Sequence, residues 1–154
     1  MLFDESVYKY MYAALQEAET AFQNDEVPIG AVVVYQNKII GRGYNQTERL
    51  KDSTAHAEMI AITAASNYLG NKFLDECDLY VTVEPCVMCS GAILLSRIRT
   101  VYFGTFEPKF GAAGSLFNIL NSDLYNHKPK VYSGIYENEA KSLLENFFKK
   151  KRKS

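Results

Sequence analysis

A three-layer α/β/α sandwich around a central five-stranded mixed sheet is the architecture that the pattern of this chain predicts. Three observations carry it. An early run of β-branched residues is followed, across a tight turn, by a second apolar run, which makes an antiparallel hairpin. Three further apolar runs alternate with helical stretches, which makes strand–helix–strand crossovers. Amphipathic helices stand at both ends of the chain and supply cover for both faces of the sheet.

Taken in order, Val7, Met11, Leu15, Ala18 and Phe22 recur at three- and four-residue steps and define a first helix ending near Gln23, with Asp4 or Ser6 as its N-cap. After Pro28 and Gly30, the run Ala31–Tyr35 and the run Ile39–Gly41 flank Gln36-Asn37-Lys38 as two strands of a hairpin. A loop covers Asn45–Ser53, and Thr54 is placed to cap a helix from about Ala55 to Tyr68. Leu79–Val83 is a third strand, and Pro85 suits the first position of a helix over about Cys86–Ser96. Thr100–Phe103 forms a fourth strand. A Gly-rich stretch, Gly104–Gly114, leads to a short helix near Leu116–Leu120, then a fifth strand at Lys130–Ser133. Ala140, Leu143, Leu144, Phe147 and Phe148 mark the buried face of a last helix, with at least one of the two phenylalanines in the core.

At 154 residues, 47% hydrophobic and 23% charged, the chain is the size of one domain spanning 1–154. Such a domain buries roughly 68–70% of its unfolded surface and needs no disulfide staple. Three cysteines are too few, and odd in number, for a secreted disulfide framework. No apolar run approaches the roughly 20 residues of a membrane helix, and Met1–Glu5 lacks the basic and apolar segments of a signal peptide. These features predict a cytoplasmic protein. The net charge of −1 is unevenly spread, because Lys149–Lys153 is a basic run and the rest carries 12 basic against 18 acidic residues. That tail suits a polyanionic partner, or is a frayed and solvated end.

Chemistry concentrates in His56-Ala57-Glu58 and Pro85-Cys86-Val87-Met88-Cys89, with 30 residues between His56 and Cys86. Cys86 and Cys89 share a helix face, and His56, opening another helix, can supply a third metal ligand. Three protein donors on zinc leave one position for water. His56 and Glu58 would diverge by roughly 200° within a regular helix, so both serve one site only if that helix presents its N-terminal end to the metal. Two helix N-termini would then converge, favouring thiolate and hydroxide. Two thiolates neutralise Zn²⁺ and acidify its water less than three imidazoles would. Glu58 is therefore the natural proton acceptor and later donor.

This is the H-x-E…P-C-x-x-C signature known for zinc nucleobase deaminases. The chain further resembles bacterial tRNA-specific adenosine deaminases of the TadA type over about Glu26–Phe148. The likeness rests on Glu26–Ala31, Asn45, Asp52–Glu58, Tyr80–Cys89, Ser96-Arg97-Ile98 and Gly111–Leu116. Gly111–Leu116 and Asn126-His127-Lys128 narrow it to the tRNA branch. The resemblance implies a cytidine deaminase-like fold, a homodimer, and one Zn²⁺ per chain held by His56, Cys86 and Cys89. It implies conversion of the wobble adenosine of a tRNA anticodon to inosine, by attack of zinc-held hydroxide at C6 with Glu58 shuttling protons and ammonia leaving. For the substrate, the anticodon stem-loop, it implies contacts from Asn45 to the flipped base and from the Ala57 backbone to the purine. The Glu107-Pro108-Lys109 loop would touch neighbouring nucleotides, with His127 on a loop near the RNA. Where this chain has Glu107, the family commonly has Asp, so an extra methylene separates the backbone from the RNA contact.

Other readings stand beside these. The zinc could be purely structural, although such sites close with a fourth protein ligand and none is placed for it. A deaminase of free bases or nucleotides shares the signature but needs neither the tail nor Gly111–Leu116. A silent RNA-binding subunit could dispense with Glu58. Cys77 reads as a buried small side chain, Asn45 on its own as a turn residue, His127 as a surface histidine. Glu84 either orients the site or ends its strand.

Overall fold

The structure is a computed structural model and describes residues 2–153. Its elements run α1 (Glu5–Gln23), β1 (Gly30–Tyr35), β2 (Lys38–Tyr44), α2 (Thr47–Leu50), α3 (Ala57–Leu69), β3 (Cys77–Val83), α4 (Val87–Leu95), β4 (Thr100–Thr105), a 3₁₀ turn (Ile119–Asn121), β5 (Lys130–Tyr132) and α5 (Glu137–Arg152). The five strands form one sheet in the order β2-β1-β3-β4-β5. β1 pairs antiparallel with β2 and β3, whereas β3, β4 and β5 run parallel. The hairpin and the two crossovers expected from the sequence are therefore present.

Alternation along the strands builds two apolar layers. Val33, Leu79, Val81, Val101 and Phe103 point to the face covered by α3 and α4, where Ala57, Ala61, Ala65 and Ile93 meet them. Val32, Val34 and Tyr80 point the other way, against Val7, Tyr10, Met11 and Ala14 of α1. Helix α3 lies very close to β2. A Cβ at Gly43 would stand 2.3 Å from the Ala57 carbonyl oxygen, and one at Gly41 would stand 2.3 Å from that of Ala61. Only glycine at these two positions lets the helix backbone rest on the strand, which fixes where α3 begins.

Helices α1 and α5 pack side by side on the opposite face and point the same way. Tyr8 meets Tyr136 at one end, while Phe22 meets Phe147 and Asp25 meets Lys151 at the other. Phe147 is buried and Phe148 is 44% exposed, so one of the pair belongs to the core. The basic run is not frayed: Lys149–Arg152 form the last turn of α5, and Lys151 Nζ reaches Asp25 Oδ2 at 2.6 Å. Among the described residues, no helix is long and apolar enough to cross a membrane.

Four local expectations are corrected. The loop over Asn45–Ser53 contains the short helix α2, because the buried carboxylate of Glu26 accepts the backbone N–H groups of Glu48 and Arg49 at 3.1 and 2.8 Å. Thr54 does not cap α3; its N–H and hydroxyl both donate to Asp52 Oδ1, and the N-cap is His56. Pro85 is not the first residue of α4, because Cys86 stays extended to bridge Gly111 and is itself the N-cap. No helix forms at Leu116, since the N–H groups of Leu116 and Phe117 return to the Gly111 carbonyl. The turn appears instead at Ile119–Asn121.

Candidate active site

Ligand crevices in open α/β sheets lie beyond the carboxyl ends of parallel strands. Here β3 ends at Val83, and within six residues the chain has supplied Cys86 and Cys89. Cys86 is the N-cap of α4 with φ −76° and ψ 179°, and Cys89 sits in the first turn. His56 is the N-cap of α3 with φ −80° and ψ 152°. The two helix N-termini converge, as their motifs require. Because His56 lies outside the helix, the divergence of a regular helix does not separate it from Glu58.

The His56 Nδ1 atom stands 3.6 Å from each sulfur, and the three donor atoms lie within 4.8 Å of one another. Zinc bonds of about 2.3 Å to sulfur and 2.0–2.1 Å to nitrogen at tetrahedral angles place N and S about 3.6 Å apart. The donor set and its spacing therefore fit a zinc ion with three protein ligands.

Electrostatics within the cluster follow from its geometry. Donation from the Cys89 thiol, and next from the His56 ring, holds the Cys86 thiol down at about 4. Cys89 moves upward, through its bond to Cys86 and then through burial. His56 is raised chiefly by its bond to Cys86. Glu58 is only 4% exposed, and burial pushes its carboxyl up to about 7, with Cys86 adding to the rise and His56 opposing it. Its carboxyl lies within hydrogen-bonding reach of Cys89. A buried carboxyl raised in this way beside a candidate metal-binding cluster can both take and give a proton.

Asn45 closes another side of the site. It is buried, and its Oδ1 accepts the Ala57 N–H at 3.0 Å, thereby capping the first turn of α3 from twelve residues upstream. Its Nδ2 group is not used in that bond. The Glu107-Pro108-Lys109 segment lines a groove of about 1090 Å³ whose opposite wall is α5, including Lys141, Phe148, Lys149, Lys151 and Arg152. Within the segment, the Lys109 N–H donates to Glu107 Oε1 at 3.0 Å. His127 stands apart: its Nε2 is 2.6 Å from the Ile98 carbonyl oxygen, past the end of α4 that lies away from Cys86. His56, Ala57, Glu58, Cys86, Cys89 and Asn45 are brought together, Glu107 and Lys109 form a separate rim, and His127 belongs to neither. Cys77 is fully buried.

Two buried carboxylates have roles that local pattern does not signal. Glu26 holds α2 and so the segment that follows Asn45. Glu84, weighed in the sequence as an orienting residue or a strand end, is buried just past the end of β3, and the loop over 107–115 donates to it. An acidic residue one or two positions before a proline is the available sequence sign, and it names no partner.

Residues 4–105 match the model of the cytidine and deoxycytidylate deaminase zinc-binding region. The chain is 48% identical over 143 residues to a tRNA-specific adenosine deaminase of Aquifex aeolicus, covering 93% of this chain and 94% of that protein. A solved structure from work on A-to-I editing by tRNA:A34 deaminases at the wobble position is similar, with a TM-score of 0.85 and 46% identity. The match covers 88% of this chain and 99% of that one. A guanine deaminase of Nitrosomonas europaea shares the fold, with a TM-score of 0.79 at 24% identity over 91% of this chain and 83% of its own.

Proposed function

The chain belongs to the cytidine and deoxycytidylate deaminase zinc-binding family, and from that premise we propose that it is a tRNA adenosine deaminase converting the wobble adenosine of an anticodon to inosine. The observation that carries this reading is the buried Glu58 carboxyl set against the His56–Cys86–Cys89 cluster. Identity of 48% over 93% of the chain to a tRNA-specific adenosine deaminase supports RNA as the substrate.

His56, Cys86 and Cys89 would hold zinc, which when bound supplies the acidified water that hydrolytic deamination consumes. Glu58 would take one proton from the attacking water and give it to the purine ring as oxygen adds at C6, then take the remaining hydroxyl proton and give it to the amine, so that the C6–N bond breaks and ammonia leaves. Asn45 offers its Nδ2 donors to the base, while its Oδ1 keeps the Ala57 backbone in place against the purine. The base is out of its stack during the reaction, because C6 cannot be reached within one, and a single-stranded loop keeps extrusion cheap. Glu107 and Lys109 face the nucleotides around the extruded adenosine. The last turn of α5, across the groove from them, adds positive charge for phosphates. His127 lies near the RNA only if a second protomer brings it there. One deaminase domain, a homodimer and a cytoplasmic location complete the proposal.

The test is incubation of the zinc-loaded protein with a set of anticodon stem-loops carrying adenosine at the wobble position, with free adenine, guanine and cytosine in parallel. Inosine at the wobble position, and no turnover of the free bases, is the expected result. Turnover confined to a free base would overturn the RNA reading. Absence of any deamination by a protein carrying one zinc would favour a silent RNA-binding subunit.

A further inference from the structure

We propose that Glu84 is a positioning residue that locks the substrate-facing loop to the metal-ligand segment, so that RNA contacts and zinc ligands move as one body. Its place in the chain suggests the linkage: Glu84 is the first residue after β3, and Pro85, Cys86 and then Cys89 come within the next five residues. Its partners establish the linkage. Oε1 accepts the Glu107 N–H at 2.9 Å, at the start of the loop. Oε2 accepts the N–H groups of Ala113 and Ser115 at 3.0 and 2.9 Å, at its end. The Ser115 hydroxyl donates to Oε1 as well. Four donors from one loop converge on a side chain only 4% exposed.

Backbone bonds also draw the loop and its entrance onto the ligand segment. The Ala112 N–H donates to the Pro85 carbonyl at 2.9 Å, Cys86 bridges Gly111, and the Glu84 N–H donates to Thr105 just before the loop. Gly111 lies against the carboxylate itself. A Cβ there would stand 2.2–2.4 Å from the Glu84 carboxyl carbon and both oxygens, so no larger residue fits while the carboxylate holds its donors. A carboxylate only accepts, and two oxygens offer about four lone-pair sites, which matches four donors. A glutamine would replace one oxygen by an NH₂ group facing N–H donors. The loop carries Glu107 and Lys109, the rim of the groove opposite α5. Holding both loop ends therefore fixes that rim relative to Cys86 without touching substrate.

This inference rests on the reading of the chain as an RNA deaminase, and the experiment separates the two. Glu84→Gln, Gly111→Ala and Ser115→Ala are compared with the parent protein, all zinc-loaded. Zinc content, kcat and KM on an anticodon stem-loop, and backbone amide exchange are measured. In Glu84→Gln, KM should rise about tenfold, the size of one lost charge-assisted hydrogen bond, with kcat changed less and zinc at one per chain. Gly111→Ala, which displaces the carboxylate from the other side, should reproduce that split. Ser115→Ala, which removes one donor of four, should show it more weakly. The amides of Glu107, Ala113 and Ser115 should lose protection while those of α3 and α4 keep theirs. A fall in kcat alone, with KM and those amides unchanged, would mean that Glu84 only supports folding. If Glu84→Gln fails to fold, the other two variants decide by the same criteria. If the parent makes no inosine, the RNA reading fails, and amide exchange alone judges the lock.

Discussion

Glu58 sits beside the cluster proposed to hold the metal. It is proposed as a proton shuttle rather than a ligand, so its variants should separate proton transfer from metal binding. Glu58→Ala is expected to lower deamination by at least about 10²-fold while zinc stays near one per chain by elemental analysis; His56→Ala and Cys86→Ala should lose both. Zinc loss in Glu58→Ala would remove the shuttle assignment. Asn45 can be divided in the same manner. Asn45→Asp keeps the acceptor for the Ala57 N–H and removes the donors for the base, so single-turnover rates should fall by about 1–3 kcal/mol of transition-state energy with the thermal midpoint nearly unchanged. An unchanged rate would confine Asn45 to capping α3. Cys77 provides a pH dependence. Burial, with Asp78 nearby, pushes its thiol up to about 11 against 9 for the free group. The unfolded chain therefore ionises first, and the contribution of Cys77 to stability is whole below pH 9 and lost as pH rises through 11. Urea midpoints between pH 8 and 11 should fall more steeply for the parent than for Cys77→Ala; equal slopes would contradict this.

At the scale of elements, the strands and long helices were legible because their signals are local. The run Ala31–Tyr35 and the spacing of Val7, Met11 and Ala18 hold all the information their elements need. The caps were not. Helix α3 takes its cap from Asn45, and α2 takes two acceptor oxygens from Glu26, 22 residues before Glu48. A rule reading neighbours along the chain selects Thr54, whose hydroxyl is already given to Asp52. The clustering of His56, Cys86 and Cys89 escaped this problem because Cys-x-x-Cys and His-x-Glu are each complete within one helix start. The seating of α3 on β2 yields a further prediction. Gly43→Ala would drive a methyl group to 2.3 Å from the Ala57 carbonyl oxygen, and overpacking of this kind costs about 1–3 kcal/mol. Chemical denaturation should show that loss, and zinc affinity should fall with it because His56 adjoins Ala57. Loss of stability with undisturbed metal binding would mean that the strand yields rather than the helix.

For the molecule as a whole, sequence distance misplaces the basic tail. Lys149–Arg152 are far from Cys86 along the chain, yet parallel packing of α1 and α5 carries them to the end of the sheet where β1 begins and β3 ends. Truncation after Phe148 should therefore weaken stem-loop affinity and flatten its salt dependence. Each single-strand phosphate contact contributes about 0.7 to the slope of log affinity against log salt, so five contacts set a ceiling of about 3.5. Coincident slopes would make the tail a structural turn alone. The same truncation removes the exposed Lys151–Asp25 pair, which carries little stability in water, so the fold should persist.

The parallel course of the first and last helices also governs how the protein can be handled. Helix α1 has 19 residues, roughly 28 Å at 1.5 Å per residue. That length holds the entrance to α1 and the exit from α5 at opposite poles. A surface tether placed ahead of Glu5 presents the pole of the His56–Cys86–Cys89 cluster to solution, where the proposed RNA substrate would meet it unobstructed. The same tether after Arg152 turns that pole toward the support, and a bulky fusion there crowds the groove between Glu107–Lys109 and α5.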